Sequence, residues 1–228
     1  MPESNGVNSA FVARLNRLDT CIVSDALDKL GFTGVVPGLA RLSTDSKITG
    51  PVVTVRLEAA NGQTADRHLC TAAIEAARPG EIIVVEHRSR ADCAGWGGIL
   101  SRAAGMRKIA GVIVDGICRD IDESRELGFP VFGRGVLPVT ARGRVIETEF
   151  NTPVTIGSIT VRPGDWVIAD GSGVVFITAE NLQAVVEQAE KLFARETELV
   201  ADIESGTPVS QVMSRTYEHM TRKDTGSK

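Results

Sequence analysis

The strongest chemical signal in the sequence is an arginine followed directly by an aspartate, Arg119 and Asp120. They come shortly after an apolar run that ends at Val114, and ligand-binding groups collect at strand ends in α/β folds. A guanidinium is permanently charged and matches a carboxylate, whereas an aspartate supplies the hard oxygen ligands that Mg²⁺ and Mn²⁺ prefer. The pair therefore predicts two catalytic residues, with Arg119 binding an anionic substrate and Asp120 holding a divalent metal. Because an isolated Arg-Asp pair is more often solvated surface, neighbouring features have to support this prediction.

A second candidate is the run Gly97, Gly98, Ile99 and Leu100, which begins a predicted helix. The first backbone N–H groups of a helix lack intrahelical acceptors and lie at the positive end of its dipole. Two glycines leave room for a carboxylate to approach these N–H groups. The run therefore predicts a substrate-binding site made of backbone amides, although a Gly-Gly pair that only makes a tight turn is common.

The segments around these candidates alternate between strands and helices, which predicts an α/β fold with some parallel sheet. Strands are predicted at 51–57, 81–86, 111–114 and 131–133, and helices at 64–77, 98–108 and 120–127. Turn residues separate later β segments at 144–150, 154–161, 165–169 and 174–177. The predicted arrangement is layered, with two β elements and one helical face.

Helical periodicity dominates both ends of the chain. Residues 11–30 predict helix with an interruption near Thr20, and residues 179–203 predict a helix much longer than the average of about 11 to 12 residues. Such a long helix is expected to extend beyond its own core and to pack on another subunit. We predict one domain over residues 1–206 and a polar C-terminal tail over 207–228, whose last residues are expected to be mobile.

Composition excludes several classes of protein. The net charge of −4 gives no basic surface for nucleic acid, and no apolar run approaches the about 20 residues needed to cross a membrane. The first ten residues do not resemble a signal peptide. Four widely spaced cysteines, Cys21, Cys70, Cys93 and Cys118, fit reduced thiols, so we expect a cytoplasmic protein.

Taken together, these segments resemble the RraA-like family, which includes the 4-hydroxy-4-methyl-2-oxoglutarate and 4-carboxy-4-hydroxy-2-oxoadipate aldolases. The central motif is specific and consists of residues 97–100 (GGIL) and 111–120 (GVIVDGICRD). Supporting similarity begins at 20–27 (TCIVSDAL) and ends at 170–175 (DGSGVV). The resemblance implies a three-layer β/β/α swivelling-domain-like fold with a long C-terminal helix. It also implies a homotrimer or a dimer of trimers, with sites near subunit interfaces.

For an aldolase of this family, the resemblance implies that the amides of Gly97 to Leu100 and the guanidinium of Arg119 bind a 2-oxo acid. Asp120 would hold Mg²⁺ or Mn²⁺, which would chelate the 1-carboxylate and 2-oxo oxygen and stabilise an enolate. The implied reaction is cleavage of a 4-hydroxy-2-oxo dicarboxylic or tricarboxylic acid to pyruvate and a second 2-oxo acid. Oxaloacetate decarboxylation is expected as a side activity, and no Schiff-base lysine is required.

Several questions stay open at this point. The base is a metal-linked water or a carboxylate that the sequence does not identify, and a glutamate from a neighbouring subunit does not align securely with Glu196, Glu198 or Glu204. His68, His87 and His219 have no metal-ligand spacing and are predicted to be ordinary surface or capping residues, with His68 in a helix. A different branch of the family binds and inhibits an endoribonuclease without catalysis. A protein-binding regulator is therefore the alternative function.

Overall fold

The computed structural model describes residues 3–65 and 67–213. Seven α-helices lie in these ranges: α1 (Glu3–Leu15), α2 (Thr20–Leu30), α3 (Thr71–Ala76), α4 (Gly98–Met106), α5 (Ile121–Glu126), α6 (Leu182–Glu204) and α7 (Val209–Val212). The first six strands are β1 (Ala40–Arg41), β2 (Ile48–Ala59), β3 (Ile82–Trp96), β4 (Gly111–Cys118), β5 (Val131–Gly133) and β6 (Gly135–Val136). The remaining five are β7 (Val145–Phe150), β8 (Val154–Ile156), β9 (Ile159–Val161), β10 (Trp166–Ala169) and β11 (Val174–Ile177).

Nine of these strands form one mixed sheet. Its main order is β1-β5-β4-β3-β2-β10-β11, while β6 pairs with β4 and β7 pairs with β2. The centre, from β2 through β3 and β4 to β5, is parallel, whereas β10 and β11 add antiparallel strands. Strands β8 and β9 form a separate hairpin. Because the parallel strands run in the same direction, the segments that follow β3 and β4 reach the same end of the sheet.

The centre of this sheet is buried on both faces. Along β3, Ile83 and Val85 contribute to one hydrophobic cluster, whereas Ile82 and Val84 contribute to another. The first cluster contains residues of α3 and α4, and the second contains residues of the β8-β9 hairpin. Alternation of side chains between two apolar environments explains why the strand sequences read as continuous apolar runs.

A third hydrophobic cluster joins the two ends of the chain. Helices α1, α2 and α6 pack against β10 and β11, with Val23, Val185 and Ile168 fully buried. Asp19 caps α2 by accepting the N–H of Ile22, and Gly31 ends that helix in the left-handed conformation. The predicted α/β class, the interruption near Thr20 and the long C-terminal helix are confirmed.

Two predicted elements near the site were wrong in extent. The helix predicted over 64–77 exists only as α3, because Cys70 adopts a positive φ of 64° and its N–H donates to Glu147 Oε2 at 2.6 Å, outside any helical ladder. The strand predicted over 81–86 continues to Trp96 as β3 through irregular pairing with β4. As a result, the described part of 64–70 is a loop, and His68 lies in it rather than in a helix.

The C-terminal region is described only in part. Residues 209–212 form α7, in which Val212 is buried, and the predicted mobile end at 221–228 lies outside the described residues. Within the described ranges, no helix combines the length and apolar character needed to cross a membrane.

Candidate active site

A cavity of about 320 Å³ brings the sequence-predicted site residues together. Gly97, Gly98, Ile99 and Leu100 at the start of α4 line it, as do Arg119 and Asp120 between β4 and α5. The segment that follows β3 and the segment that follows β4 meet here because the two strands are parallel neighbours. The predicted association of the amide run with the Arg-Asp pair is therefore seen in the structure.

Asp120 turns the chain back toward α4. Its φ of 54° and ψ of 39° lie in the left-handed region, which aspartate adopts more readily than most residues. In this conformation Asp120 Oδ2 accepts the N–H of Gly98 at 3.1 Å and lies 3.3 Å from Nε of Arg119. Oδ1 of Asp120 has no donor within the described part of the chain. One carboxylate oxygen thus fixes the local geometry, and the other is free for a ligand.

Arg119 is held by its backbone and free at its tip. Its N–H donates to the carbonyl of Trp96 at 3.0 Å, which ties it to the end of β3. Its side chain is 37% exposed, and no acceptor from residues 3–65 or 67–213 contacts the two terminal guanidinium nitrogens. These two nitrogens can therefore bind a carboxylate in a bidentate manner.

The two glycines lie in close contact with the segment that follows β4. A Cβ on Gly97 would lie 2.8 Å from Asp120 Oδ2, and a Cβ on Gly98 would lie 1.9 Å from Glu123 Oε2. Absence of these side chains lets α5 approach the start of α4, where Arg102 and Glu123 form an ion pair at 3.0 Å. The glycines therefore do more than make a turn.

The start of α4 offers free donors beside Arg119. Gly98 donates to Asp120, but the N–H groups of Ile99 and Leu100 have no acceptor among the residues that the structure describes. No side chain caps this helix. Two N–H donors without an acceptor at the positive end of the helix dipole, in the same cavity lining as a guanidinium, form a favourable environment for a carboxylate or an enolate oxygen.

A buried hydrogen-bond chain positions α4 and α5 relative to β3. Trp96 Nε1 donates to Ser101 Oγ at 2.9 Å, and Ser101 Oγ is 2.8 Å from Ser124 Oγ. Ser124 Oγ in turn donates to the carbonyl of Asp120 at 3.3 Å. The Trp96 ring also stacks on Phe129 at a centroid distance of 6.2 Å. Trp96 thus anchors the site, and it is also among the residues that line the cavity.

Sequence reasoning did not connect a second group of lining residues with the site, namely His68, Leu69, Thr71, Thr140, Ala141 and Arg142. These residues come from the loop before α3 and the loop before β7, which are distant in sequence from the Arg-Asp pair. Their types carry no motif, so only the three-dimensional arrangement reveals them. No acceptor in the described ranges contacts the guanidinium of Arg142, which leaves a second free cation at the cavity.

Other candidate groups lie elsewhere. His87 was predicted to be a surface or capping residue, but it is 1% exposed inside the fold, with Nε2 2.9 Å from the carbonyl of Cys93, and burial lowers its pKa. His219 is outside the described residues. Glu196, Glu198 and Glu204 lie on α6 and do not line the cavity. They remain unassigned.

All four cysteines are free thiols. Cys70 and Cys118 are fully buried, and burial raises the pKa of both thiols. A protonated, buried thiol is a poor nucleophile, so these side chains serve packing.

The donor set fits a hard divalent cation bound with few protein ligands. Within the described ranges, no three His, Cys, Asp or Glu side chains come together as a metal cluster. Mg²⁺ is commonly held by one or two carboxylates, with water and substrate oxygens completing its shell. Asp120, with its free Oδ1 and a side chain that is 43% exposed, has the chemistry for this arrangement.

Comparison with known proteins agrees with the family resemblance seen in residues 97–100 and 111–120. A family model described as RraA-like, Aldolase/RraA, matches residues 20–176. A protein named "Putative 4-hydroxy-4-methyl-2-oxoglutarate aldolase" from Halalkalibacterium halodurans is 32% identical over 181 residues, which are 79% of this chain and 82% of that relative. Protein DlpA from Legionella pneumophila is 30% identical over 201 residues, or 88% of this chain. This chain spans only 33% of the length of DlpA.

Solved structures show the same fold. A protein from Pseudomonas syringae pv. tomato has a TM-score of 0.82 at 30% identity, and the match covers 90% of this chain and 98% of that one. RraAS2 from Streptomyces coelicolor, described as an unusual member of the RNase ES inhibitor RraA protein family, has a TM-score of 0.77 at 28% identity. That match covers 82% of this chain and 95% of RraAS2.

Proposed function

Because this chain belongs to the RraA-like family, we propose that it is a divalent-metal-dependent pyruvate aldolase. Its substrate would be a 4-hydroxy-2-oxo dicarboxylic or tricarboxylic acid, cleaved to pyruvate and a second 2-oxo acid. Oxaloacetate decarboxylation would be a side activity of the same site. The observation that carries the proposal is one cavity lined by a free guanidinium, a partly free carboxylate and two free backbone donors.

In this proposal Arg119 binds the carboxylate of the pyruvyl part through its terminal nitrogens. The free N–H groups of Ile99 and Leu100 and the positive end of α4 stabilise the negative charge that develops on the enolate oxygen when the C3–C4 bond breaks. The catalytic residues are therefore Arg119 and Asp120, and the substrate-binding residues are Gly97, Gly98, Ile99, Leu100 and Arg119. No lysine from the described part of the chain lines the cavity, so the lining residues do not support Schiff-base chemistry.

Asp120 would hold Mg²⁺ or Mn²⁺ through Oδ1. When bound, such a cation supplies a Lewis acid that withdraws electron density from the 2-oxo group. Oδ2 would keep its contacts with Gly98 and Arg119, so the carboxylate would remain fixed while it binds the ion.

The charge of the cavity lining supports a substrate with more than one carboxylate. Two arginines, Arg119 and Arg142, line the cavity together with a single acidic residue, Asp120. The charged residues of the lining therefore have a net positive charge, which a bound cation would increase and which favours an anion with a second carboxylate beyond the pyruvyl part. This supports the dicarboxylic or tricarboxylic substrate class.

The second candidate function is a protein-binding regulator of an endoribonuclease, which is supported by the similarity to RraAS2. A homo-oligomer is expected for either function. The two functions differ in turnover, because a regulator needs a partner surface and no chemistry at Asp120.

The aldolase is tested by pyruvate release from 4-hydroxy-4-methyl-2-oxoglutarate and from oxaloacetate in the presence of Mg²⁺. Asp120→Ala or excess chelator is expected to abolish most turnover of both substrates, and returning Mg²⁺ after chelation should restore it. Asp122→Asn is a matched control, because the Asp122 side chain is 91% exposed and does not line the cavity. Turnover that persists unchanged in chelator and in Asp120→Ala would contradict the metal site. A wild type without turnover that binds an endoribonuclease tightly would support the regulator.

A further inference from the structure

The part of the substrate that leaves as the second 2-oxo acid needs a binding group of its own. In a 4-hydroxy-2-oxo dicarboxylic acid this part carries a carboxylate on C4, whereas Arg119 and the start of α4 are assigned to the pyruvyl part. A second cavity, of about 500 Å³, adjoins the candidate active site and shares His68, Leu69, Ala141 and Arg142 with its lining. We propose that Arg142 binds the carboxylate on C4 and thereby selects substrates that have one. This inference rests on the proposed aldolase function.

The charges of the second cavity favour an anion. Among the described residues that line it, the charged side chains are Arg67 and Arg142, and none is a carboxylate. Arg67 Nη2 lies 2.8 Å from Oε1 of Glu147, whose side chain is fully buried, so the charge of Arg67 is already paired. The guanidinium of Arg142 has no such acceptor in the part of the chain that the structure describes. Arg142 is therefore the cation with which a substrate carboxylate can pair where the two cavities meet.

A tight turn presents Arg142 at this junction. The N–H of Arg144 donates to the carbonyl of Ala141 at 2.8 Å, and Gly143 within the turn adopts a φ of 74°. The N–H of Arg142 donates to Thr140 Oγ1 at 3.2 Å, and the carbonyl of Thr140 accepts Arg144 Nη1 at 3.1 Å. The backbone of the turn is thus held by its own hydrogen bonds. Binding a carboxylate then has to order only the exposed side chain of Arg142.

A different cavity that shares the Arg-Asp pair is less suited to the same carboxylate. It also has a volume of about 500 Å³, and its lining includes Arg41 and Arg125. Arg41 pairs with Asp45 at 3.2 Å, and Arg125 pairs with Asp122, which itself lines that cavity. A substrate carboxylate there would meet cations that are already neutralised and one further negative charge. The distribution of charge therefore favours Arg142.

Two substrates that differ in a single group test this role. 4-Hydroxy-4-methyl-2-oxoglutarate has a carboxylate on C4, where 4-hydroxy-4-methyl-2-oxopentanoate has a methyl group. Arg142→Gln should lower kcat/KM for the dicarboxylate by about tenfold to a hundredfold, the size of a hydrogen-bonded contact with a charged group. The loss should be mainly a rise in KM, because the carboxylate is bound alike before and during bond cleavage. Cleavage of the monocarboxylate by the variant should stay close to wild type.

Two further measurements keep this comparison interpretable. If turnover of the monocarboxylate is too slow to follow, its inhibition constant against oxaloacetate decarboxylation should be the same in the wild type and in Arg142→Gln. Oxaloacetate has no group beyond C4, so its decarboxylation by Arg142→Gln should remain close to wild type. That result also shows that the variant is folded and that the site around Arg119 and Asp120 is intact.

Control variants separate the position of Arg142 from its charge. Arg142→Lys keeps the charge but loses the planar fork, so its kcat/KM for the dicarboxylate should lie between those of the wild type and Arg142→Gln. Arg162→Gln removes the same charge from an exposed residue outside both cavities and should leave the kinetics with every substrate unchanged.

The remaining outcomes overturn the inference. Equal losses with the dicarboxylate and the monocarboxylate in Arg142→Gln would give Arg142 a structural role, and unchanged kinetics with both would make it dispensable. In either case the wild type still cleaves its substrate, so the proposed aldolase function stands. If the wild type neither cleaves the 4-hydroxy acids nor decarboxylates oxaloacetate, the proposed function itself fails and the inference fails with it.

Discussion

Gly98 shows how one missing side chain can shape a reaction site. The space that a side chain at Gly98 would occupy is taken by neighbouring residues. A Cβ added there would lie 1.9 Å from Oε2 of Glu123 and 3.2 Å from Cβ of Asp120. The N–H of the same residue holds Asp120 Oδ2. Gly98 therefore controls both the position of the proposed metal ligand and the approach of α5 to α4.

We expect Gly98→Ala to lower kcat/KM for both reactions by about tenfold to a hundredfold, because small displacements of catalytic groups have effects of this size. Glu123 is at the surface and can move aside, so the midpoint of thermal unfolding should change little. Gly105→Ala in the same helix is the matched control, since its Cβ would meet only Phe129 at an ordinary 3.8 Å. That change should stabilise α4 by about 0.5 to 1 kcal/mol and leave turnover unchanged. Equal activity in the two variants would show that the contacts at Gly98 do not position Asp120.

Asp170 has a structural role near the C-terminal end of the segment that the family model matches. Its carboxylate accepts the N–H and the hydroxyl of Thr20, at 2.9 and 2.7 Å, and the N–H of Ser172. Burial alone would raise the pKa of Asp170, but these hydrogen bonds and the charge of Lys47 outweigh it and lower the pKa. Asp170 therefore fastens the start of α2 to the turn between β10 and β11.

Asp170→Asn is expected to lower the free energy of unfolding at neutral pH by about 1 to 2 kcal/mol, because a charged acceptor at a helix start is lost. Since the folded pKa is lowered, this stabilisation is present above the unfolded pKa of about 3.9 and is lost as the pH falls through the folded value. Urea denaturation at neutral pH and at low pH measures it, and the difference between wild type and variant should shrink in acid. Asp45→Asn, at a fully exposed side chain, should have little effect at either pH. A difference that grows in acid would contradict the role given to Asp170.

The elements that position the site were only partly predictable. The start of α4 and the Arg-Asp pair follow from periodicity and from residue types that lie close together in the sequence. The loop that carries His68 does not, because its helical pattern is overridden by the positive φ of Cys70 and the contact of that residue with buried Glu147. Glu147 is 77 positions away, so no local pattern reveals this contact.

The prediction of where β3 ends was wrong for a similar reason. Its sequence changes from apolar to charged residues after Val85, which suggests that a strand ends there. In the structure β3 continues because Arg90, Ala94 and Trp96 pair with β4 across three register shifts. Irregular pairing places the carbonyl of Trp96 where it accepts the N–H of Arg119, so the error in the prediction falls at the site itself.

At the scale of the whole molecule, large apolar side chains are exposed on two helices. Ile99 and Met106 on α4 are 82% and 81% exposed, and Phe193 and Ile203 on α6 are each 42% exposed. Ile99 also lines the cavity. Apolar residues at these positions favour an assembly of several copies of the chain, with α4 and the candidate site near an interface.

We therefore expect light scattering to give a mass of three or six chains of 24.3 kDa each. Met106→Glu and Phe193→Glu each introduce a charge that loses hydration in an apolar interface, so at least one of them should lower the mass. Ala184→Glu is the control, because Ala184 is exposed near the start of α6, where a negative charge is favourable. A drop in turnover that accompanies dissociation in Met106→Glu, with the fold retained by circular dichroism, would place the site at the interface between copies. A monomeric wild type, or a mass unchanged in both variants, would show that these faces are exposed in the working protein.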